Sequence, residues 1–139
     1  IDGKVGGKIP IDVFKALREF SIKNPGADSK SMTLGKYDDG GPTSYIAKAG
    51  KNSTYFDMGK VLWGRVQEEY NLTDAEMFEY FNKPALNDAI KQGKIFRFSH
   101  NPLDYYGSFL SEEWEYLKDK LILTDENLIF EGGFWYVKQ

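Results

Sequence analysis

Apolar residues along the chain follow two spacings, one typical of helices and one typical of strands. The segment IPIDVFKALREFSIKNP has apolar residues three and four positions apart, which predicts an N-terminal helix over residues 9–25. Pro10 suits the first turn of such a helix, and Pro25 suits its end. Residues 1–8 are rich in glycine and lysine, and we expect them to form a flexible lead-in.

Three short apolar runs in the middle of the chain predict buried strands. They are SMTLGKY at 31–37, STYFDMG at 53–59 and KIFRFS at 94–99. The segments between them have helical spacing and lie at 43–50, 60–70 and 73–93. In the last of these, Thr73 and Glu76 match a capping box, Pro84 predicts a break or kink, and Gly93 predicts the end.

The C-terminal third predicts one more helix and then strands. In GSFLSEEWEYLKDK, Ser108 suits the N-cap, and Glu112 and Glu113 suit the positive end of the helix dipole. Residues 121–139 predict short strands joined by DEN and EGG turns. The sequence therefore predicts an α/β (or α+β) fold in a single domain over 1–139. We expect one layer of mixed sheet with helices packed on it, an N-terminal helix and C-terminal antiparallel strands.

Composition and charge narrow the classes of protein. The chain has no cysteine, which excludes disulfides and thiolate chemistry, and no apolar run approaches the roughly 18 residues of a membrane span. The net charge of −3 argues against a protein that coats nucleic acid by bulk attraction. Basic residues are more frequent in the first half and acidic residues in the second. This distribution indicates either acidic helix faces or separate surfaces for an anionic substrate and a protein partner.

Polar side chains follow each of the three internal strands. Lys36 and Tyr37 end the first, Asp57 follows the second, and Ser99 and His100 follow the third. Because ligands bind at the carboxyl ends of strands in open α/β sheets, parallel pairing would gather these five candidate catalytic residues at one edge. His100, the only histidine, would act as general acid or base. Lys36 would stabilise negative charge, Asp57 would orient the imidazole, and a hydroxyl of Ser99 or Tyr37 would assist.

Each of these residues also has a purely structural interpretation. His100 precedes Asn101 and Pro102 and could be a turn residue, and Asp57 could be a helix N-cap. Lys36 and the two aspartates at 38–39 could simply be charged residues of a solvent-exposed loop. The Glu113-Trp-Glu115 spacing resembles a motif of ADP-ribosyltransferases, but a helix would point the two acids to different faces.

Candidate substrate-binding residues are three lysines and an amide that could contact a polyanion. They are Lys30, Lys48, Lys51 and Asn101. No Walker loop, HExxH, GxSxG or Cys/His metal spacing occurs in the sequence, so we predict no metal site. A metal-dependent nuclease with Asp38, Asp57 and His100 as ligands remains an alternative, as does an enzyme that consumes NAD.

Several segments resemble the C-terminal toxin domains of bacterial polymorphic toxins, of the contact-dependent growth inhibition (CdiA-type) class. They are GGKIP before a helix, MTLGKY, YIAKAG with STYFDMG, LTDAEMFEYFNKPALNDAIKQGKIFRFSHNP, and GS with EEWEYL, which together cover most of residues 6–118. The likeness lies in the spacing of these segments and carries no defined catalytic signature.

The resemblance implies a domain delivered from a secreted or cell-surface protein that acts in the target-cell cytoplasm. Many such domains are nucleases, often ribonucleases that cleave tRNA, and some use elongation factor Tu (EF-Tu) as a protein cofactor. Each is neutralised by a cognate immunity protein. We therefore expect a tRNase toxin without a small-molecule cofactor, whose acidic half faces a basic immunity protein. A non-enzymatic interaction module remains a further alternative, because the acidic half has clustered aromatic residues.

Overall fold

The computed structural model describes residues 3–26, 29–37 and 41–139. The described α-helices are α1 (Ile11–Ser21), α2 (Tyr45–Ala49), α3 (Lys60–Tyr70), α4 (Asp74–Met77), α5 (Lys83–Lys91) and α6 (Phe109–Leu121). The described strands are β1 (Lys4–Val5), β2 (Ile9–Pro10), β3 (Ile22–Lys23), β4 (Ser31–Leu34), β5 (Ser53–Phe56), β6 (Ile95–Phe98), β7 (Leu128–Glu131) and β8 (Phe134–Val137).

Six strands form one mixed sheet in the order β3-β5-β4-β6-β8-β7. The three internal strands β5, β4 and β6 are parallel neighbours, with β4 in the centre. The outer pairs, β3 with β5, β6 with β8 and β7 with β8, are antiparallel. This mixed α/β architecture confirms the predicted fold class, including the antiparallel strands at the C-terminus.

The two faces of the sheet differ in chemistry because side chains alternate along each strand. Met32 and Leu34 of β4, with Phe96 and Phe98 of β6, are buried on the face that carries the main core. The Phe98 ring meets the buried ring of Trp114 from α6 edge to face, with centroids 5.9 Å apart. The core therefore lies between this face and the longer helices.

The opposite face carries a hydrogen-bonded polar network. The hydroxyl of Ser53 lies 2.9 Å from that of Ser31 and 2.7 Å from that of Thr33. Arg97 Nε donates to the Thr33 hydroxyl at 2.9 Å, and its guanidinium also donates to the Ala49 carbonyl at 3.2 Å. These bonds satisfy the buried hydroxyls and attach α2 to the sheet.

The N-terminal segment differs from the prediction. Residues 3–8 belong to an ordered hairpin, in which β1 pairs with β2 and Gly6 and Gly7 supply the positive φ angles of the turn. Ile9 is fully buried and Lys8 forms a 3.0 Å ion pair with Glu76, which explains why this part is not a loose lead-in. The first helix is also shorter than 9–25, because Pro10 belongs to β2 and residues 22–23 pair with β5 as β3.

The helical segment after residue 73 confirms one prediction and corrects another. Thr73 and Glu76 form the predicted capping box, and Gly93, with φ +70°, follows the end of α5 at Lys91 as the predicted stop. The chain does not break at Pro84: a π turn over Phe78–Asn82 precedes it, with the Lys83 N–H bonded to the Phe78 carbonyl, and α5 continues past the proline. The regular α-helical hydrogen-bond pattern is therefore interrupted just before Pro84, next to the position where the sequence predicts a break or kink.

The C-terminal elements follow the prediction in part. Ser108 caps α6 as expected, and Gly132 and Gly133 form the turn between β7 and β8. The segment before Asp125 is not a strand, because α6 extends to Leu121, and DEN forms a 3-10 turn that leads into β7. None of the helices within the described ranges is both long and apolar enough to cross a bilayer.

Candidate functional site

The predicted catalytic residues follow three parallel strands that end at one edge of the sheet. Lys36 and Tyr37 follow β4, Asp57 follows β5, and Ser99 and His100 follow β6. Because β4 lies between β5 and β6, Lys36 stands between the segment of Asp57 and the segment of Ser99 and His100. The sheet topology therefore brings these segments together as the sequence predicted.

The His100 imidazole is held by its Nδ1 atom. The backbone N–H of Lys36 donates to Nδ1 at 3.2 Å, and the Ser99 hydroxyl lies 2.7 Å from the same atom. Ser99 is only 1% exposed, so its hydroxyl positions the imidazole and is not accessible as a nucleophile. Because Nδ1 accepts the Lys36 N–H, the neutral imidazole in this arrangement carries its proton on Nε2.

Tyr105 links the candidate amine to the candidate imidazole. The Lys36 ammonium lies 4.4 Å from the centroid of the Tyr105 ring, a cation–π distance. The His100 ring meets the same ring edge to face, with centroids 6.1 Å apart. The Lys36 ammonium and the His100 imidazole thus both pack against the ring of Tyr105.

Two of the predicted substrate-binding residues lie on this side of the sheet. Lys48 donates to the Ser99 carbonyl at 3.4 Å, which places its ammonium beside the end of β6. Asn101 follows His100 directly, and its side-chain oxygen accepts the N–H of Leu103 at 3.1 Å, so it caps a 3-10 turn. Lys48 is thus available to contact a substrate at this edge, whereas Asn101 mainly shapes the turn.

The other two predicted substrate-binding residues lie at the opposite end of the strands. Lys30 immediately precedes β4, and Lys51 lies shortly before β5, so both stand at the amino ends of the parallel strands. Both are exposed. The structure therefore does not bring them to the edge that holds His100.

Asp57 occupies the predicted edge but contacts a different group from the one expected. Its carboxylate accepts the Gly59 N–H at 2.9 Å, which closes a turn before α3. Gly59, rather than Asp57, is the N-cap residue of that helix. Asp57 and His100 also follow strands that are separated by β4, so Ser99 and Lys36 hold the imidazole in place of Asp57.

A cavity of about 370 Å³ opens at the carboxyl ends of β4 and β5 on the core face of the sheet. Three predicted residues, Lys36, Tyr37 and Asp57, line it, but His100 does not. The other lining residues are Leu34, Gly35, Tyr45, Phe56, Met58, Gly59, Lys60, Trp63, Asn82, Ser108, Phe109, Leu110 and Glu113. Lys36 therefore lies between this cavity and the imidazole.

Glu113 is the buried acid of the cavity. It is 7% exposed, and burial, with a smaller contribution from the neighbouring Glu112, raises its pKa to about 8. No hydrogen bond joins its carboxyl to any residue that the structure describes. Glu115 instead points outward and pairs with Lys118 at 2.9 Å, so the two acids of the E-x-E sequence lie on different faces, as predicted.

Tyr45 and Asn82 add two more polar groups to the cavity. The Tyr45 hydroxyl donates to the Phe56 carbonyl, and burial, together with the negative charges of Glu113 and Asp57, raises the pKa of Tyr45 well above its usual value. Asn82 is 7% exposed, and its Oδ1 atom has no hydrogen-bond partner among the described residues. Such an unpaired buried oxygen is costly and calls for an explanation.

Tyr45, Asn82 and Glu113 are cavity residues that the sequence pattern did not predict, although it carries a signal for two of them. Glu113 lies on the apolar stripe of α6 between Leu110 and Leu117, and a carboxylate there breaks the helical pattern. Asn82 interrupts the buried stripe of the preceding helical segment in the same way. Polar residues on buried faces were therefore the useful indicators.

No group of three or more His, Asp or Glu side chains suited to a metal ion occurs in the described ranges. Asp38 and Asp39, one of which belongs to the metal-dependent alternative, lie outside the described residues. Comparisons of the chain with protein-family models, with curated proteins and with solved structures found no match.

Proposed function

We propose that this chain is an antibacterial toxin domain, a ribonuclease that cleaves tRNA in the cytoplasm of a target cell. The observation that supports this chemistry best is that Lys36 and His100 pack against the same Tyr105 ring where the parallel strands end. An ammonium beside an imidazole can cleave a phosphodiester by general acid–base catalysis. The assignment as a toxin rests on the resemblance to polymorphic toxin domains.

His100 is the proton-transfer group of the proposed reaction. Its Nε2 atom takes the proton of a ribose 2′-hydroxyl while that oxygen bonds to phosphorus. The bond from phosphorus to the 5′ oxygen breaks, and the same proton passes from Nε2 to the departing oxygen. The products are a 2′,3′-cyclic phosphate and a 5′-hydroxyl, and no other reactant is consumed. For Nε2 to accept this proton, the ring must first carry its proton on Nδ1, with Nδ1–H donating to the Ser99 hydroxyl oxygen and the 3.2 Å contact with the Lys36 N–H given up.

Lys36 stabilises the charge that develops on the phosphate oxygens. Its ammonium stands at the edge that also carries Lys48, while the exposed Lys60 lies at the mouth of the cavity. This local basic group compensates for the overall charge of −3, which attracts tRNA poorly over long distances. A carrier that presents tRNA, such as EF-Tu, would raise the encounter rate further.

A direct cleavage assay tests the proposal. Purified protein is incubated with total tRNA, with and without EF-Tu and with EDTA, and the RNA is separated on a denaturing gel. We expect fragments that end in a cyclic phosphate and that form in the presence of EDTA. Intact tRNA in both the presence and the absence of EF-Tu would refute the proposal, and cleavage that EDTA abolishes would favour the metal-dependent alternative.

The acidic half of the chain supports a cognate immunity protein as partner. Residues 61–139 carry eight Lys or Arg against fourteen Asp or Glu, whereas residues 1–60 carry ten against seven. Complementary charge gives fast and specific capture, which a cell that produces a toxin requires. We expect the immunity protein to present a basic surface to this half, with association that slows as salt rises. A salt-independent association rate would contradict this assignment.

A second candidate function is consumption of NAD. The specific observation in its favour is the cavity itself, which combines aromatic walls with one buried acid, Glu113. Such a site could accept a nicotinamide ring. Rapid loss of NAD in intoxicated cells, before any loss of tRNA, would favour this candidate over the ribonuclease.

A further inference from the structure

We propose that the cavity at the ends of β4 and β5 binds one unstacked nucleobase, and that Glu113 and Asn82 select an adenine or a cytosine. This inference rests on the proposed ribonuclease function, because it assigns the substrate base next to the cleaved phosphate. It concerns recognition rather than the chemical step.

The cavity has the size and the walls of a site for a flat aromatic ligand. Its volume of about 370 Å³ lies within the range of small-molecule pockets, about 300–1,000 Å³. Phe56, Trp63 and Phe109 form a connected aromatic wall, with centroids 6.3 Å apart for Phe56 and Trp63 and 5.4 Å apart for Trp63 and Phe109. Single-stranded nucleic acids are commonly held by bases that stack on such side chains.

Two polar groups of this cavity have no hydrogen-bond partner among the residues that the structure describes. The Asn82 Oδ1 atom is fully buried without a partner among the described residues, and the Glu113 carboxyl, which is 7% exposed, has no hydrogen bond to any of them. Leaving such groups unsatisfied costs stability, so a ligand that supplies the missing partners would gain free energy. Asn82 requires a donor, and the exocyclic amino group of a base provides one.

The protonation of Glu113 determines which base edge it fits. Because burial raises the pKa of Glu113 to about 8, the carboxyl is neutral at pH 7 and offers a donor beside an acceptor. The Watson–Crick edges of adenine and cytosine present an amino donor beside a ring-nitrogen acceptor, which matches this arrangement. The choice requires that one exocyclic amino group bonds both Asn82 and Glu113. In adenine and cytosine the ring nitrogen beside that amino group then accepts from the neutral carboxyl, whereas guanine N1–H would face the carboxyl's donor, and uracil has no amino group for Asn82.

The cavity and the reactive edge are joined through Lys36. Its side chain lines the cavity and packs on Tyr105, and its backbone N–H holds His100 Nδ1. A nucleotide with its base in the cavity would therefore have its phosphate near the Lys36 ammonium, within the region of His100. This places the selected base directly beside the bond that is cleaved.

Binding of non-cleavable RNA separates this inference from the proposed function. The probes are four trinucleotides with 2′-O-methyl riboses, which lack the attacking hydroxyl, and with A, C, G or U in the centre. Titration calorimetry at pH 6.5 should show that A or C binds about tenfold more tightly than G and U. NAD serves as a fifth probe, and binding of NAD more tightly than every trinucleotide would overturn the inference.

Variants of Glu113 and Asn82 test which edge of the base these two residues recognise. Glu113→Leu and Asn82→Leu should each lose the preference for A or C, while Glu113→Gln, which keeps a donor beside an acceptor, should restore it. Glu112→Gln is the matched control, because its carboxyl is exposed one residue away. Urea unfolding checks that each variant is folded. Equal binding of all four probes, or an unchanged preference in Glu113→Leu, would refute the inference.

The two proposals fail in different ways. If the protein cleaves tRNA but binds the four probes equally, the base-binding cavity is refuted and the ribonuclease stands. If tRNA stays intact while A or C is still preferred, cleavage is refuted and the base-binding cavity stands.

Discussion

Gly35 and Ser99 lie on neighbouring parallel segments with no room for a methyl group between them. A Cβ on Gly35 would lie 1.8 Å from Ser99 Oγ and 3.0 Å from His100 Nδ1. The same position would be 2.8 Å from Tyr45 Cβ, so the close approach involves the cavity as well as the imidazole. The absence of a side chain at residue 35 therefore allows both parts of the site to form.

The first prediction concerns this contact. Gly35→Ala should force Ser99 and Tyr45 apart, lowering the free energy of unfolding by about 1–3 kcal/mol and disrupting tRNA cleavage. Gly64→Ala is the control: its Cβ would meet nothing within 4 Å, and it lies inside α3. An alanine there should stabilise the protein by about 0.5–1 kcal/mol. Urea unfolding measures both, and an unaffected Gly35→Ala would contradict the geometry.

The second prediction concerns the His100 imidazole and the Lys36 ammonium. His100→Ala should reduce tRNA cleavage by about 10²–10⁴-fold, and Lys36→Ala should also cause a large loss because charge on the phosphate is no longer stabilised. Lys91→Ala, an exposed lysine on α5, is the control for loss of one positive charge. Initial cleavage rates on a denaturing gel measure the effect. Full activity of His100→Ala would remove the imidazole from the mechanism.

The third prediction concerns pH. The pKa of Glu113 is about 8 in the folded protein against 4.5 for an ordinary glutamate, so the folded state keeps a proton that the unfolded state releases. The contribution of this group to stability is complete below pH 4.5 and is lost as the pH rises to about 8. The stability of Glu113→Gln relative to wild type should therefore increase from pH 5 to pH 8.5 in urea unfolding.

The other titratable groups that line the same cavity bear on this prediction. They are Lys36, Tyr37, Tyr45, Asp57 and Lys60, and Glu112 is the neighbour of Glu113 on α6. Glu112→Gln, measured at the same pH values, is the matched control because that carboxyl is exposed. An equal pH dependence in the two variants would show that Glu113 does not hold a proton in the folded protein.

The fourth prediction concerns the unpaired amide. Asn82→Leu should raise the free energy of unfolding by about 1–3 kcal/mol, because it removes an unsatisfied buried oxygen. The same change should weaken binding of the preferred trinucleotide, a combination expected when a residue is kept for function at a cost in stability. Asn87→Leu is the contrasting variant, because the Asn87 amide oxygen accepts a hydrogen bond from the Tyr116 hydroxyl. Loss of that hydrogen bond should lower the free energy of unfolding. A destabilised Asn82→Leu would contradict the prediction.

The sequence predicted most of the fold because its local signals are strong. Periodicity, the Thr73 capping box and the Gly132-Gly133 turn each act over a few residues, and each is present in the structure. The N-terminal hairpin was missed because its stability comes from distant contacts, such as the ion pair of Lys8 with Glu76. Pro84 indicated an interruption of the helix, but its form, a wider π turn just before the proline, is not visible in local preferences.

The candidate site was predictable only as far as strand topology determines it. Parallel pairing was sufficient to place Lys36, Asp57 and His100 at one edge. It could not show that the Asp57 carboxylate closes a turn on Gly59, or that Lys30 and Lys51 stand at the other end of the strands. Glu113 was assigned to the helix dipole because only tertiary packing shows that it faces a cavity.

The π turn at Phe78–Asn82 has a genetic consequence. Its bond from the Lys83 N–H to the Phe78 carbonyl spans one residue more than a regular helical turn, so the turn amounts to a one-residue insertion. Deleting a single codon there would restore an uninterrupted helix and rotate Asn82 away from its present direction. A one-codon deletion would therefore change the lining of the cavity while the chain keeps its helical connection between α4 and α5.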